Sequence, residues 1–303
     1  MHWSTKGFDL TKQFFEQVLR QAQDKPSSGG GLAHAYLFTG QEMIGKRTFA
    51  LELAGVINDC KEQSNYNSDV LVVSTDNSEN EGSIAIGDIR KAKSFLSLSP
   101  NVGPYKFVIV DNADQMTAEA QNAFLKVLEE ASESSIIILV TAFKDVLLPT
   151  IISRCQEMQF PGHSAEEIKQ VLIQEKVGEA KAEFLSKFVN GKLGLALKIA
   201  RENLFEQLKA YLAEFAKIKK EPLNARLKLA QTLAEEEKIP ELKEKILYWM
   251  LYLHMQARFN LDQNLDQPKF QGSTLKNLMD LNYNLGQPQF NRRLMIENFM
   301  TRL

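Results

Sequence analysis

The segment TGQEMIGKRT, residues 39–48, matches a phosphate-binding loop at every defined position but one. The pattern G-x-x-x-x-G-K-[ST] is met by Gly40, Gly45 and Lys46, but Arg47 stands where a Ser or Thr hydroxyl would hold magnesium. An apolar strand pattern precedes the stretch and a helical pattern follows it, as such a loop requires. The sequence therefore predicts an α/β fold with a degenerate nucleotide site.

Other residues of this loop leave its use open. Thr48 offers a hydroxyl one position late, rotated by about 100° around the helix. A tight strand-to-helix turn with two glycines would explain the same residues without a ligand. Because Lys46 and both glycines are retained, weak binding of ATP, ADP or phosphate also remains open.

Five apolar runs bounded by turn residues predict strands. They are residues 35–38, 70–73, 107–110, 136–140 and, with a weaker pattern, 157–160. Apolar residues at helical spacing follow the first and third runs. Strands alternating with helices predict a mostly parallel sheet covered on both faces.

The pattern changes near Pro161 and Gly162, beyond which no strand is predicted. Ser164 with Glu167 three residues later forms a capping box that begins a helix, and two more helical patterns follow. The predicted domains are an α/β core at 1–162, a small helical domain at 163–203 and a larger helical domain at 204–303.

Three segments have distinct compositions. Residues 25–31 are rich in Gly and Ser and predict a flexible insertion. The segment ILYWMLYLHM, 246–255, is apolar nearly all round and is predicted to be both core and subunit interface. Residues 260–273 are polar and predict a loop.

The bulk composition excludes several classes of protein. A net charge of −2 over 303 residues argues against a basic nucleic-acid-binding chain, so we expect the isolated chain to bind DNA poorly. Two cysteines, Cys60 and Cys155, cannot build a disulfide framework or a four-cysteine zinc site. With no targeting pattern and no membrane span, we expect a cytoplasmic protein.

Two further motifs suggest chemistry. Asp111 ends an apolar strand and could hold magnesium through water, but Asn112 follows it where active ATPases carry a catalytic Glu. Arg154, in a Ser-Arg-Cys segment, is either a solvated surface charge or an arginine finger for a neighbour's γ-phosphate. Cys155 beside it is expected to pack as a small apolar residue.

Four stretches together resemble bacterial DNA polymerase III clamp-loader subunits of the delta-prime type, in the AAA+ class. They are HAYLFTGQEMIGKRTFALELA, YKFVIVDNADQMTAEAQNAFLKVLEEAS, IIILVTAFKDVLLPTIISRCQEMQF and FNRRLMIENFM. The resemblance implies a five-stranded parallel P-loop core, a three-helix lid and an all-α collar through which five subunits assemble. It also implies gamma/tau and delta subunits as partners in a cytoplasmic, nucleoid-associated complex, with the sliding clamp and primer–template DNA reached through that complex.

The resemblance further implies a stator that does not hydrolyse ATP and that offers Arg154 in trans. Three departures favour this role: Arg47, Asn112 and Leu195, which stands where ATP-binding relatives carry a basic sensor. We therefore expect no intrinsic ATPase activity and no required cofactor, with Gly40, Gly45, Lys46, Thr48 and Asp111 as a degenerate nucleotide site.

Two alternatives remain, and one absence is expected. The chain could be a hydrolysing, gamma/tau-like motor subunit that tolerates Arg47. It could also be a nucleotide kinase, although it lacks an arginine-rich lid. Cys60 stands alone where relatives insert a four-cysteine module, so no zinc is expected.

Overall fold

The computed structural model describes residues 3–24, 31–58, 68–78, 82–262, 269–285 and 290–303. The chain divides into two compact units, one formed by Met1–Glu167 with Gly191–Gly194 and the other by Ile168–Asn190 with Leu195–Leu303. The finer division into lid and collar stays a prediction. The insertion predicted at 25–31 lies, apart from Gly31, outside the described residues.

The first unit is built on a five-stranded sheet, as predicted. The strands are β1 Ala35–Thr39, β2 Val70–Val73, β3 Lys106–Val110, β4 Ser135–Thr141 and β5 Gln156–Gln159. Their order is β2-β3-β4-β1-β5, and every neighbouring pair is parallel. The loops that follow β1 and β3 therefore lie at the same, carboxyl edge of the sheet, where ligands of open α/β sheets bind.

Helices cover both faces of this sheet, which confirms the predicted layers. They are α1 Asp9–Asp24, α2 Lys46–Ile57, α3 Ile86–Leu96, α4 Ala118–Glu130 and α5 Pro149–Ile152. Because successive strand residues point to opposite faces, Leu37 packs in one core cluster with α3 and α4, whereas Tyr36 and Phe38 pack in another with α1 and α2. Thr117 caps α4, its Oγ1 accepting a hydrogen bond from the Ala120 N–H at 3.2 Å.

Eight helices follow β5 within the described residues, and no strand does. They are α6 Ala165–Gln174, α7 Glu179–Phe188, α8 Leu193–Arg201, α9 Phe205–Ile218, α10 Leu223–Leu233, α11 Ile239–Asp262, α12 Lys269–Leu285 and α13 Arg292–Arg302. The capping box is confirmed, because the Glu167 N–H donates to Ser164 Oγ at 3.2 Å and the Ser164 N–H donates to Glu167 Oε2 at 2.7 Å.

Helix α11 supplies the core of the second unit. Trp249 is fully buried, its indole N–H donates to the Tyr211 carbonyl at 2.9 Å, and its ring stacks on Phe215 with centroids 4.9 Å apart. The core role of residues 246–255 is thus confirmed, while their interface role stays a prediction. Among the described helices, none combines the length and the apolar character that a bilayer crossing needs.

The prediction of a loop at 260–273 is wrong at both ends. Helix α11 continues to Asp262 and α12 begins at Lys269, while 263–268 lie outside the described residues. Asn, Asp and Gln lower helix propensity by only about 0.7 kcal/mol each or less. Extending a helix that already exists is cooperative, so a short polar run does not stop it.

Candidate functional site

The loop between β1 and α2 requires glycine at both motif positions. Gly40 and Gly45 have φ angles of 144° and 110°, in the region that side chains disfavour. A Cβ on Gly40 would also lie 2.3 Å from the Phe160 carbonyl oxygen, at the end of β5. Backbone geometry alone therefore explains the two glycines, with or without a ligand.

Lys46 turns inward. Its side chain is 6% exposed, and its ammonium donates to the carbonyl oxygens of Gly40 and Gln41, both at 2.6 Å. Burial lowers the pKa of Lys46 to about 8, although the negative charges of Glu42 and Asp111 oppose the shift. In a working phosphate loop this amine reaches phosphate oxygens. Here it hydrogen-bonds to its own loop.

Arg47 pairs with the carboxylate that the sequence suggested as a metal ligand. Its Nη1 lies 3.3 Å from Asp111 Oδ2, and the other carboxylate oxygen accepts the Asn112 N–H at 3.2 Å. Burial raises the pKa of the Asp111 carboxyl, and the Arg47 guanidinium is the chief opposing influence. Both oxygens of this carboxylate therefore have donors from the chain itself.

The residues at this site do not fit a magnesium ion. Magnesium takes oxygen ligands in near-octahedral geometry, but a guanidinium cation already lies on Asp111, and Thr48 is exposed on α2. Among the described residues, no group of His, Cys, Asp or Glu is arranged to hold a metal. Because Cys60 lies outside those residues, the absence of zinc stays a prediction.

A second set of contacts fixes the loop from its other side. The Gly194 N–H donates to the Met43 carbonyl at 2.7 Å, and a Cβ at position 194 would come within 2.6 Å of that oxygen. His163 Nε2 lies 3.0 Å from the Ile44 carbonyl oxygen, within hydrogen-bond distance. Two consecutive loop carbonyls, which no motif marks, are thus engaged by residues far along the chain.

The loop is also covered by an aromatic ring. Phe8 packs on Phe160 and His163, with centroids 4.9 and 4.6 Å away, and a Cβ on Gly45 would lie 3.7 Å from Phe8 Cε2. Sequence analysis missed Phe8 because it belongs to no motif. It also singled out Leu195, which is buried in α8, and overlooked Gly194. The glycine-rich sequence around residue 191 is the feature that could have pointed to Gly194.

Arg154 lies at the opposite edge of the sheet, two residues before β5 begins. Its Nη2 donates to Glu129 Oε1 at 2.8 Å, its Nη1 donates to the Thr150 carbonyl at 3.2 Å, and the side chain is 40% exposed. Burial raises the pKa of the neighbouring Cys155 thiol to about 12, so this group is not a thiolate at neutral pH.

Fold and loop together define a parallel α/β chain with a phosphate-binding type of loop after its first strand. A solved structure of similar fold is a DNA polymerase III gamma subunit-related protein from Thermotoga maritima, with a TM-score of 0.52 and 23% identity. The match covers 94% of this chain and 97% of that one. At this identity the likeness bears on the fold alone.

Sequence comparison narrows the class to a family. The family model described as DNA polymerase III, delta subunit, matches residues 15–164. The chain is 30% identical over 228 residues to DNA polymerase III subunit delta' of Bacillus subtilis (strain 168), covering 71% of this chain and 67% of that protein. The chain belongs to the delta-prime-type family of DNA polymerase III clamp-loader subunits.

Two other relatives match over shorter stretches. Subunit delta' of Pseudomonas aeruginosa is 33% identical over 44% of this chain and 45% of that protein. DNA polymerase III subunit tau of Bacillus subtilis is 34% identical over 49% of this chain and 29% of its own length. The chain thus spans less than half the length of either.

Proposed function

We propose that this chain is a non-hydrolysing clamp-loader subunit that supplies Arg154 in trans to a neighbouring ATPase subunit. The observation that carries the proposal is the ion pair between Arg47 and Asp111, with 3.3 Å between nitrogen and oxygen. Phosphoryl transfer in P-loop enzymes depends on a metal ion held near this carboxylate. The Arg47 guanidinium takes the place of the magnesium ion, whose positive charge hydrolysis needs.

The inward Lys46 supports the same proposal. A nucleotide phosphate would have to draw the ammonium away from two carbonyl oxygens at 2.6 Å. The contacts from Phe8 and Gly194 also fix the loop in this conformation. In the proposed function, the loop is a structural element and the chain requires no bound nucleotide. Weak binding of ATP, ADP or phosphate is compatible with this role but is not needed for it.

Arg154 has the opposite character. It is partly exposed, and two of the five N–H donors of its guanidinium make the hydrogen bonds described above. The remaining donors can reach phosphate oxygens of a neighbouring subunit, where an arginine stabilises charge in the transition state. This is the chemistry that one subunit can lend to another.

The proposal includes the setting of the machine. The partners are gamma/tau-type and delta-type subunits in a hetero-pentamer in the cytoplasm, which loads the sliding clamp on primed DNA. Since the net charge of the chain is −2, contact with DNA is assigned to the complex rather than to this chain alone.

A gamma/tau-like motor subunit is the second candidate. It is favoured by the 34% identity to the tau subunit and by the retained Lys46 with both glycines. It requires another magnesium ligand, and the hydroxyl one position later in the chain, on Thr48, is exposed. It predicts ATP turnover by the isolated chain that is lost in Lys46→Ala.

The experiment is single-turnover ATP hydrolysis in the complex reconstituted with Arg154→Ala. We expect a loss of roughly 10³-fold at the site that receives the arginine, with assembly unchanged in size-exclusion chromatography. Arg201→Ala is the matched control, because Arg201 is also exposed and pairs with one glutamate, Glu175, at 2.9 Å. A rate for Arg154→Ala equal to that of the Arg201→Ala complex would refute the proposal.

A further inference from the structure

Two glutamates end helix α4, at the terminus where the helix dipole disfavours negative charge. Each is paired with a cation from another element. Glu130 Oε2 lies 2.6 Å from Lys93 Nζ on α3, and Glu129 Oε1 lies 2.8 Å from Arg154 Nη2. The first pair joins two helices of the same layer. The second has the proposed arginine finger as its partner.

Arg154 is held at two points. Glu129 accepts from one terminal nitrogen of the guanidinium, and the Thr150 carbonyl accepts from the other at 3.2 Å. The two anchors fix both the position and the plane of the group. The Nε–H and one N–H on each terminal nitrogen are not used by these two bonds. The guanidinium can therefore keep its anchors and still present donors outward.

The pair with Glu129 adds little to folding. The side chains of Arg154 and Glu129 are 40% and 53% exposed. Exposed pairs of this kind contribute weakly to stability, because water screens them and two long side chains lose freedom. The helix dipole also opposes a carboxylate here. The placement of Glu129 is better explained by its effect on Arg154 than by its effect on the fold.

We propose that Glu129 is a positioning residue for Arg154. It sets the direction of the guanidinium before a neighbouring subunit presents its phosphate. A free arginine would lose rotamer freedom on reaching the phosphate, and an arginine already held has lost part of that freedom beforehand. The inference rests on the proposed function, since it concerns how Arg154 is offered in trans.

The expected effect is modest and specific. Glu129→Ala lowers kcat for ATP hydrolysis by the reconstituted complex about fivefold, the limit that an exposed pair allows. The KM for ATP stays unchanged, because the neighbour's own loop binds the nucleotide. Glu129→Gln keeps an oxygen that can accept from Nη2 and recovers part of the loss. Glu130→Ala is the matched control, which removes the adjacent carboxylate and leaves Arg154 untouched.

The complexes to compare carry Glu129→Ala, Glu129→Gln, Glu130→Ala, Arg154→Ala, or Glu129→Ala with Arg154→Ala. The double variant should hydrolyse ATP no more slowly than Arg154→Ala, because Glu129 acts through that arginine. A further loss in the double variant, or a raised KM, would overturn the inference. A normal kcat for Glu129→Ala beside an impaired Arg154→Ala would also overturn the inference, but it would leave the proposed function standing. A normal rate for Arg154→Ala would remove both.

Discussion

Arg47 and Arg154 are similar in exposure and in ion pairing, but their carboxylate partners differ in burial and in position on the sheet. Each side chain is about two fifths exposed, at 41% and 40%, and each pairs with one carboxylate, at 3.3 and 2.8 Å. The partner of Arg47 is Asp111, 14% exposed at the carboxyl edge of the sheet. The partner of Arg154 is Glu129, 53% exposed at the other edge.

In the proposed function, a chain that does not hydrolyse ATP itself contributes an arginine to hydrolysis by a partner. At the phosphate loop, groups that would act on a nucleotide are turned onto the protein: Lys46 onto loop carbonyls and Arg47 onto Asp111. At the other edge, Glu129 holds Arg154 but leaves it open to solvent. In the proposed function, the phosphate loop has a structural role, and Arg154 acts on the nucleotide of a partner subunit.

The largest expected effect is a contrast between the two arginines within the complex. Arg154→Ala should slow hydrolysis at the neighbouring site by roughly 10³-fold, because it removes transition-state charge stabilisation. Arg47→Ala should change that rate by less than about twofold, because Arg47 pairs with Asp111 of its own chain. The same single-turnover assay measures both. Equal losses would erase the distinction between the regions.

The next effect concerns the pH dependence of the free energy of unfolding, which Lys46 in the loop between β1 and α2 should influence. Burial lowers the pKa of Lys46 from 10.5 to about 8 in the folded chain. Between these values the unfolded state binds one proton more, so the free energy of unfolding should rise with pH by up to about 1.4 kcal/mol per unit. Below pH 8 this gain is absent, because both states are protonated.

The measurement is urea unfolding of the wild type and of Lys46→Met from pH 7.5 to 10.5. The stability difference, wild type minus variant, should increase across this window, since Lys46→Met has no group to titrate there. A difference that stays level or falls would mean that the ammonium is not held inside the loop as described.

The smallest effect is on stability at neutral pH. Arg47→Ala leaves the mostly buried Asp111 without its ion-pair partner and should lower the free energy of unfolding by about 1–2 kcal/mol. Arg154→Ala breaks an exposed pair and should cost less than about 0.5 kcal/mol. Urea unfolding measures both. Adding Asp111→Asn to Arg47→Ala should restore most of the loss, and a double variant as unstable as Arg47→Ala alone would contradict this reasoning.

Much of the fold follows from local sequence. The run IIILV predicts a buried strand because it is short, wholly apolar and rich in β-branched residues, and β4 is found there at Ser135–Thr141. The glycines at 40 and 45 predict a tight turn after β1, and their φ angles show it. Thr117 belongs to a residue type that favours the N-cap, and its hydroxyl caps α4.

The closure of the site could not be predicted in the same way. Arg47 meets Asp111 across 64 residues, and His163 meets Ile44 across 119. Such pairs depend on the register of β1, β3 and β5, which no local pattern encodes. Sequence analysis identified Arg47 as the loss of a hydroxyl. It did not foresee that the same residue neutralises the carboxylate that would hold the metal.

Whether the phosphate loop is catalytically inactive is measured by ATP hydrolysis by the purified chain alone, with magnesium and primed DNA, beside Lys46→Ala. We expect no turnover above that of Lys46→Ala, since the Lys46 ammonium is bound to loop carbonyls and Asp111 is paired with Arg47. Turnover by the wild type that disappears in Lys46→Ala would contradict it and would make this chain a motor subunit.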